Sequence, residues 1–319
     1  MLKDKKILFY LLVILYLGIG IYLSITTGIT SDESFEQLNW DKNVSGVISL
    51  LNFGHYDEFL RYLDKYHGIA FHYISQPIQF FISNLVSNLN EVSDFGGHLM
   101  SKHSIVFLIF SLSGIYFFRL INKITQNLFF SYLSTSLYLL YPYLFGHSLF
   151  NMKDIPFLSI WLITTYYFLT IIEDIYFEKN LEYKKLIFVS FLTAYLISIR
   201  ILGILIFLQV LISLIILFNI KDIKLSVFIK NYYKKFTISL FVLVLFVYLM
   251  NPIFWLDPYE FVNSIKWMSN YFNNICTLTL GDCMNSLSLP SSYYFIWLFF
   301  KLPILIILGI ITFPLVEKK

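Results

Sequence analysis

Two adjacent acids, Asp32 and Glu33, are the residues of this sequence whose position most suggests chemistry. They follow the first long hydrophobic segment by a few residues. A carboxylate at the edge of a membrane can lie in a partly desolvated pocket, where it can accept a proton near neutral pH. The pair therefore marks a candidate catalytic position, and the remaining polar residues must show what could surround it.

Four more polar side chains lie where the chain passes between hydrophobic segments. A charged group within a span costs about 3 kcal/mol at the helix centre, so it indicates a functional site by default. Arg200 stands in LISIRILGIL between two apolar stretches, and its forked, permanently charged guanidinium suits a phosphate. The segment GHSLFNMKDIPF places His147, Lys153 and Asp154 around a very short turn. Together these residues predict a site.

Each of the four also has a purely structural interpretation. Arg200 could extend to the membrane surface from a tight hairpin. His147 could be an interfacial residue, Asp154 could cap the helix that follows, and Lys153 could anchor that helix at the interface. The sequence leaves these alternatives open.

The composition predicts that lipid surrounds the elements that must position these residues. Hydrophobic residues make up 58% and charged residues 13% of the 319 residues, and the mean hydropathy is +0.71. These values are typical of a polytopic membrane protein. The net charge of +3 is too small and too dispersed for a nucleic-acid surface. We therefore expect an all-α membrane protein with a single domain over residues 1–319.

A bilayer core needs about 20 apolar residues per helix. Eight stretches approach or meet this length, approximately 7–27, 104–118, 128–145, 155–172, 186–199, 201–220, 236–250 and 293–316. The first is expected to be retained as a signal anchor. Most Lys and Arg residues fall on one side of this arrangement if the N-terminal lysines are cytoplasmic. The pattern predicts a plasma (inner) membrane protein with both termini in the cytoplasm.

The two long segments on the other side, 28–103 and 251–292, place the expected site at the extracytoplasmic face. Residues 77–89 form an amphipathic stretch whose Phe80, Phe81 and Leu85 predict a helix on the membrane surface. Cys276 and Cys283 could form a disulfide in an oxidising compartment or stay as free thiols. The other acids of the first segment have no convergent spacing and are expected to be solvated: Glu36, Asp41, Asp57, Glu58 and Asp64.

Four motifs in a fixed order carry a resemblance to a known family. They are SDESFEQ after the first span, YLFGHSLFNMKDIPF at the third turn, SIRILGIL at the fifth and LPSSYYFIWLFFKLP at the eighth. This order resembles the GT-C glycosyltransferases, and most closely glycosyltransferase family 39, with the protein O-mannosyltransferases and the aminoarabinose transferase of lipid A. The resemblance spans most of the chain. It implies a GT-C-like helix bundle that transfers a sugar from a polyprenyl-phosphate donor to a lipid, glycan or protein hydroxyl in the cell envelope.

The resemblance also implies roles for individual residues. Asp32 would be the base that deprotonates the acceptor hydroxyl, with Glu33 in support. Asp154 matches the acid of the family's second outer turn and would orient the acceptor, Lys153 or Asp32. Lys153 and Arg200 would neutralise the lipid phosphate as it leaves, when binding contributes most to rate.

The eighth motif adds candidates for donor binding. Tyr293 and Tyr294 resemble the aromatic pair near the donor in this family, and an aromatic belt at the interface is the alternative. Lys301 lies about two helical turns further on, where it could reach the phosphate or extend to the membrane surface. No HExxH motif or close Cys and His cluster predicts a metal. Some GT-C enzymes use one, so a divalent ion held by Asp32, Asp154 and His147 stays an open alternative.

Other functions compete with sugar transfer. The chain has fewer spans than the family's members usually carry, so the resemblance implies a compact or C-terminally truncated core. A noncatalytic assembly subunit would also fit such a core. A transporter or flippase for an anionic or lipid-linked substrate would need membrane charges as well. It would further need a two-sided cavity and repeated or broken helices, and the sequence contains no pseudo-repeat.

Overall fold

A computed structural model describes residues 2–270 and 276–316 of the chain. The chain forms two compact units, Met1–Ile265 and Lys266–Lys319, and each is described by itself. The predicted helical bundle is confirmed in outline, because nearly all regular structure is α-helical. A single domain over 1–319 and a GT-C arrangement of the helices stay predictions.

Within the described residues, the regular structure of the first unit consists of helices. Its α-helices are α1 Leu2–Thr26, α2 Ser31–Phe53, α3 Asp57–Arg61, α4 Ala70–Asn90, α5 Asp94–Met100, α6 His103–Thr125, α7 Leu128–Leu140, α8 Pro142–Ser148, α9 Asp154–Tyr176, α10 Tyr183–Ile199, α11 Ile206–Lys221, α12 Leu225–Met250 and α13 Glu260–Ser269, the last of which continues past the unit boundary. Two 3₁₀ helices, Ile201–Leu205 and Pro252–Phe254, precede α11 and follow α12.

The described residues contain four helical segments that are long and apolar enough to cross a membrane: Asp94–Thr125, Asp154–Tyr176, Ile201–Lys221 and Leu225–Met250. The number rises to six if two bent pairs each count as one span, Tyr10–Thr26 with Ser31–Phe53 and Tyr293–Lys301 with Ile306–Thr312. These assignments rest on length and composition. A membrane protein is supported, and the predicted eight spans stay a prediction.

Proline breaks one of the expected spans. The predicted segment 128–145 is divided into α7 and α8 at Tyr141, whose ψ of 118° is not helical. Pro142 causes the break, because its ring disfavours a helical conformation in the preceding residue and it has no N–H to donate.

The first predicted outer segment folds into four helices, α2 to α5. On α4, Phe80 and Phe81 are 82% and 77% exposed, whereas Ser75 and Gln79 are fully buried. This helix therefore turns some of its apolar residues outward and some of its polar residues toward the protein. The predicted helix at 77–89 is present within α4, and its contact with a membrane surface stays a prediction.

An apolar core joins α4, α6, α9 and α10. Phe71 of α4, Phe110 of α6, Ile163 of α9 and Leu196 of α10 are buried members of this core. It fixes the ends of α9 and α10 relative to α4. Since α4 also packs its polar side against α2 and α5, the core determines where the polar residues of the first unit meet.

The second unit contains a β-hairpin, β1 Cys276–Thr279 and β2 Asp282–Asn285, followed by α14 Tyr293–Lys301 and α15 Ile304–Val316. Leu280 and Gly281 in its turn have φ of 54° and 96°, and positive values at both positions are typical of a type I′ turn. Cys276 and Cys283 are joined by a disulfide with their Cα atoms 5.3 Å apart. Of the two alternatives for these cysteines, the structure has the disulfide.

Candidate functional site

Three distant parts of the chain meet around Lys153. Its Nζ lies 2.7 Å from Glu36 Oε1 of α2 and 3.2 Å from His67 Nδ1. The Lys153 and Glu36 side chains are only 14% and 12% exposed. We call Lys153, Glu36 and His67 the Lys153 cluster. It shows that Lys153 is not merely an anchor at an interface, and that Glu36 is not the solvated loop charge that the sequence predicted.

Arg200 and Asp154 form an ion pair beside this cluster. Arg200 Nη2 lies 2.6 Å from Asp154 Oδ1, and the two side chains are 37% and 60% exposed. Arg200 Nε is buried and has no hydrogen-bond partner. The guanidinium therefore has one accessible ion pair and one further donor that is not used by the protein.

Asn151 binds the backbone at the start of α9, where Lys153 and Asp154 lie. Its Oδ1 accepts from the backbone N–H groups of Lys153 and Asp154 at 3.1 and 2.8 Å, so Asn151 satisfies donors that a helix start leaves open. The alternative that Asp154 itself caps the helix is therefore wrong. Asn151 Nδ2 also lies 3.1 Å from Asp154 Oδ2 and 3.3 Å from His147 Nδ1, which connects His147 to the Asp154 carboxylate.

A glycine lets His67 reach this place. A Cβ on Gly68 would lie 2.3 and 2.4 Å from the backbone oxygens of Ser198 and Ile199, so only glycine can pack here against the end of α10. Arg200 follows directly in an extended conformation, with φ of −145° and ψ of 131°. The segment before α4 and the end of α10 are thereby held together, which brings His67 near both Arg200 and Lys153.

Burial and two neighbouring positive charges keep the imidazole of His67 neutral. Burial, and then the positive charges of Lys153 and Arg200, lower the pKa of His67 to about 3. A neutral ring has one N–H; because Nδ1 accepts from the Lys153 ammonium, the proton lies on Nε2, which is 3.7 Å from Asp64 Oδ1. His67 thus serves as a hydrogen-bond acceptor for Lys153 at neutral pH.

A second lysine forms a similar cluster deeper in the first unit. Lys102 Nζ lies 2.5 Å from Gln37 Oε1 and 3.2 Å from His72 Nδ1. Burial, followed by the charges of Lys102 and Lys153, lowers the pKa of His72 well below its usual value. We call Lys102, Gln37 and His72 the Lys102 cluster. Lys102 is fully buried, so this cluster is closed to ligands.

Glu33 is committed to the structure of α2. Its Oε1 accepts from the backbone N–H and the hydroxyl of Thr30 at 2.8 and 3.0 Å, in a capping box. Its Oε2 lies 2.9 Å from His103 Nε2, while His103 Nδ1 lies 3.0 Å from the Ser24 carbonyl oxygen. Both oxygens of Glu33 are therefore engaged, one by Thr30 and the other by His103.

Asp32 differs from Glu33 in its exposure and in its hydrogen bonds, the two properties that decide whether a ligand can bind. It is exposed in the first turn of α2. In the described part of the chain its carboxylate accepts one hydrogen bond, from the Ser31 hydroxyl at 3.3 Å. The structure brings Asp154, Arg200, Lys153 and His147 together through contacts, and Asp32 makes no contact with these four.

The three candidates of the eighth motif lie in the second unit, on α14. The Tyr293 and Tyr294 rings pack against each other with centroids 5.7 Å apart, and Tyr294 is 73% exposed. Lys301 Nζ lies 5.9 Å from the centroid of the Trp297 ring. A role of these residues in donor binding stays a prediction.

The described residues contain no group of three or more His, Cys, Asp or Glu side chains that could hold a metal ion. Asp154, one of the proposed ligands, is occupied by Arg200 and Asn151. Metal dependence therefore gains no support from this arrangement.

Comparison of the chain with family models, with curated proteins and with solved structures finds no match.

Proposed function

We propose that this protein is a membrane glycosyltransferase that moves a sugar from a polyprenyl-phosphate donor to a hydroxyl acceptor. The observation that supports this most is the meeting of Lys153 and Arg200, which come from different turns of the chain. Lys153 Nζ lies 3.2 Å from His67 Nδ1, and Arg200 directly follows Ile199, against whose backbone Gly68 packs. Two cations at one partly exposed place suit a phosphate group.

The partners of these two cations suggest how a phosphate would enter. The Arg200–Asp154 pair is accessible, and an exposed ion pair is worth only about 0–1 kcal/mol. A phosphate could therefore replace Asp154 at Nη2 of Arg200. Lys153 stays oriented by Glu36 and His67 and would add its charge as the phosphate leaves.

Asp32 is the carboxylate we assign as base. It would remove the proton of the acceptor hydroxyl while the acceptor oxygen attacks the anomeric carbon of the sugar. The bond from that carbon to the phosphate oxygen breaks, and polyprenyl phosphate leaves with the electron pair. Glu33 is occupied by Thr30 and His103, so we assign it the task of fixing the start of α2, which positions Asp32.

Two measurements on purified protein in lipid nanodiscs test these assignments separately. The first is thermal stabilisation by polyprenyl phosphate alone, and the second is transfer from radiolabelled polyprenyl-phosphate hexose or pentose to native membrane acceptors. Asp32→Asn should keep the stabilisation and lower transfer by about 100-fold or more, because general base catalysis contributes 10²–10⁴-fold. Arg200→Ala should lose the stabilisation.

Asp94→Asn is the matched control for Asp32, because Asp94 is also an exposed acid in the first turn of a helix, α5. It should transfer at the rate of the unmodified chain. Wild-type turnover by Asp32→Asn would remove Asp32 as base. Equal stabilisation of Arg200→Ala and the unmodified chain would remove the phosphate site.

A further inference from the structure

A cavity of about 330 Å³ lies among α9, α10, α11 and α12, away from the Lys153 cluster. Its lining includes Phe168, Ile172, Val189, Val210, Leu214 and Leu240. Leu240 is 60% exposed, so the cavity opens onto the outer surface of the bundle. Three of the four helices belong to segments that could cross a membrane, and the opening would then face lipid.

The hydroxyl groups that line the cavity already have hydrogen-bond partners. Its hydroxyl groups are satisfied within the protein, because Ser190 and Ser239 bond to each other at 2.5 Å and Thr193 donates to the Val189 carbonyl oxygen at 2.8 Å. An occupant with polar groups would gain nothing from this wall, so a hydrocarbon suits it. Since a dry cavity of about 150 Å³ holds one benzene molecule, this one has room for about a dozen carbon atoms.

One end of the cavity lies beside an unusually basic surface. Between residues 221 and 235 the chain has five lysines and one acid: Lys221, Lys224, Lys230, Lys234, Lys235 and Asp222. Lys221 Nζ lies 4.1 Å from the centroid of the Tyr176 ring, and Lys235 Nζ lies 2.5 Å from Asn180 Oδ1. None of the five lysines pairs with a carboxylate in the part of the chain that the structure describes.

The basic surface and the cavity are adjacent. Ile175 lines the cavity and precedes Tyr176, which Lys221 covers. Phe236 lines the cavity and follows Lys235. A molecule with a hydrocarbon chain in the cavity would therefore place its polar end among uncompensated positive charges, which attract anionic lipid head groups.

We propose that this cavity and the lysines around it form a binding site for an anionic phospholipid of the bilayer. One acyl chain occupies the space among α9 to α12, and the phosphate of the head group lies between Lys221 and Lys235. The site holds together the ends of four helices. It is separate from the site of sugar transfer, and it stands whether or not that function is correct.

Native mass spectrometry of the full chain, released from detergent micelles that contain phosphatidylglycerol or phosphatidylcholine with the same acyl chains, tests the site. The unmodified chain should retain one phosphatidylglycerol and little phosphatidylcholine. Lys221→Gln and Lys235→Gln should each lower retention of phosphatidylglycerol about fivefold. Both residues lie outside the cavity, so these substitutions leave its lining unchanged. Lys42→Gln, an exposed lysine on α2, is the control and should change nothing.

Leu214→Trp tests the cavity by filling it, and it should abolish retention of the lipid. Leu208→Trp, at a 55% exposed residue of the same helix that does not line the cavity, should retain it. Equal retention of the two lipids by the unmodified chain would overturn the proposal, since it would mean that the lysines do not distinguish phosphatidylglycerol from phosphatidylcholine. Unchanged retention in both lysine variants would overturn it as well, even if Leu214→Trp fails to fold.

Discussion

The Lys153 cluster and the Lys102 cluster have the same construction but differ in charge and in access. In both, a lysine contacts one residue of α2 and Nδ1 of a neutral histidine at 3.2 Å. The α2 residues are neighbours, Glu36 for Lys153 and Gln37 for Lys102. Lys153 therefore has a carboxylate as partner and lies near the surface, whereas Lys102 is fully buried with an amide as partner.

This difference separates a place that can exchange ligands from one that can only hold helices together. Lys153 is accompanied by the accessible pair of Arg200 and Asp154, so an incoming anion would find a second cation there. Lys102 has no such neighbour at its ammonium, and its contacts join α2, α4 and the turn before α6. The charge balance of the two clusters can be tested by stability measurements, independently of any assay of activity.

The largest contrast is expected when each lysine is replaced by methionine. Lys153→Met leaves the mostly buried Glu36 without its cation, and breaking such a pair costs roughly 3 kcal/mol. Lys102→Met replaces a fully buried amine whose direct partners, Gln37 and His72, are neutral. The loss of two hydrogen bonds is offset because no amine then has to be desolvated. We expect its effect on the free energy of unfolding to stay within about 1 kcal/mol.

Unfolding of purified protein in mixed micelles, with helix content as the signal, measures both changes. Lys42→Met, at an exposed lysine of α2, is the control for loss of a lysine as such. A cost for Lys102→Met as large as that for Lys153→Met would show that a missing carboxylate is not what distinguishes the clusters.

The pH dependence of stability should be similar in the two clusters, because both histidines are held neutral. The pKa of His67 in the folded protein, about 3, lies below its usual value near 6.5. The unfolded chain therefore binds a proton on His67 between these values, and the folded chain does not. Neutral His67 therefore costs no stability above about pH 6.5, and the free energy of unfolding decreases as the pH falls from there toward about 3.

Each histidine can contribute a slope of up to about 1.4 kcal/mol per pH unit. His72 contributes in the same direction, because its pKa is also lowered. His67→Gln and His72→Gln should each make unfolding less dependent on pH between 6 and 4. His55→Gln serves as the control. An unchanged slope in His67→Gln would mean that His67 is not neutral in the folded protein.

The sequence predicted the part of the candidate site near α9 and α10 better than the part that lies on α2. Arg200, Lys153 and Asp154 were found because a charged residue next to an apolar segment is conspicuous. The ion pair between Arg200 and Asp154 was not predicted, since the residues belong to different turns and only packing of α9 on α10 brings them together. Charge next to a span can locate a site, but it does not identify its ion pairs.

The residues of α2 other than Asp32 and Glu33 were missed because they belong to a segment interpreted as a loop. α2 has little apolar periodicity, and apart from Gly46 its buried residues are polar: Glu33, Glu36, Gln37, Asn39 and Asn43. Their spacing of three and four residues is that of one helix face, and this signal could have found the last four. The polar partners of this stripe come from several elements, among them His103 for Glu33, Lys153 for Glu36 and Lys102 for Gln37, and the sequence of α2 alone does not identify them.

The smallest effect separates a direct partner from an indirect one. Glu36 contacts the Lys153 ammonium, whereas Asp41 is exposed and has no direct hydrogen bond to Lys102. It accepts from Gln37 Nε2 at 2.8 Å, and Gln37 Oε1 accepts from Lys102. Glu36→Gln should cost about 2 kcal/mol, as expected for a charge-assisted hydrogen bond. Asp41→Asn should cost less than about 1 kcal/mol, because an asparagine oxygen can still accept from Gln37 and an exposed charge is screened. The same unfolding experiment measures both substitutions. If they lower the free energy of unfolding equally, the Asp41 charge stabilises the Lys102 cluster as strongly as Glu36 stabilises the Lys153 cluster. The two clusters would then not differ in charge.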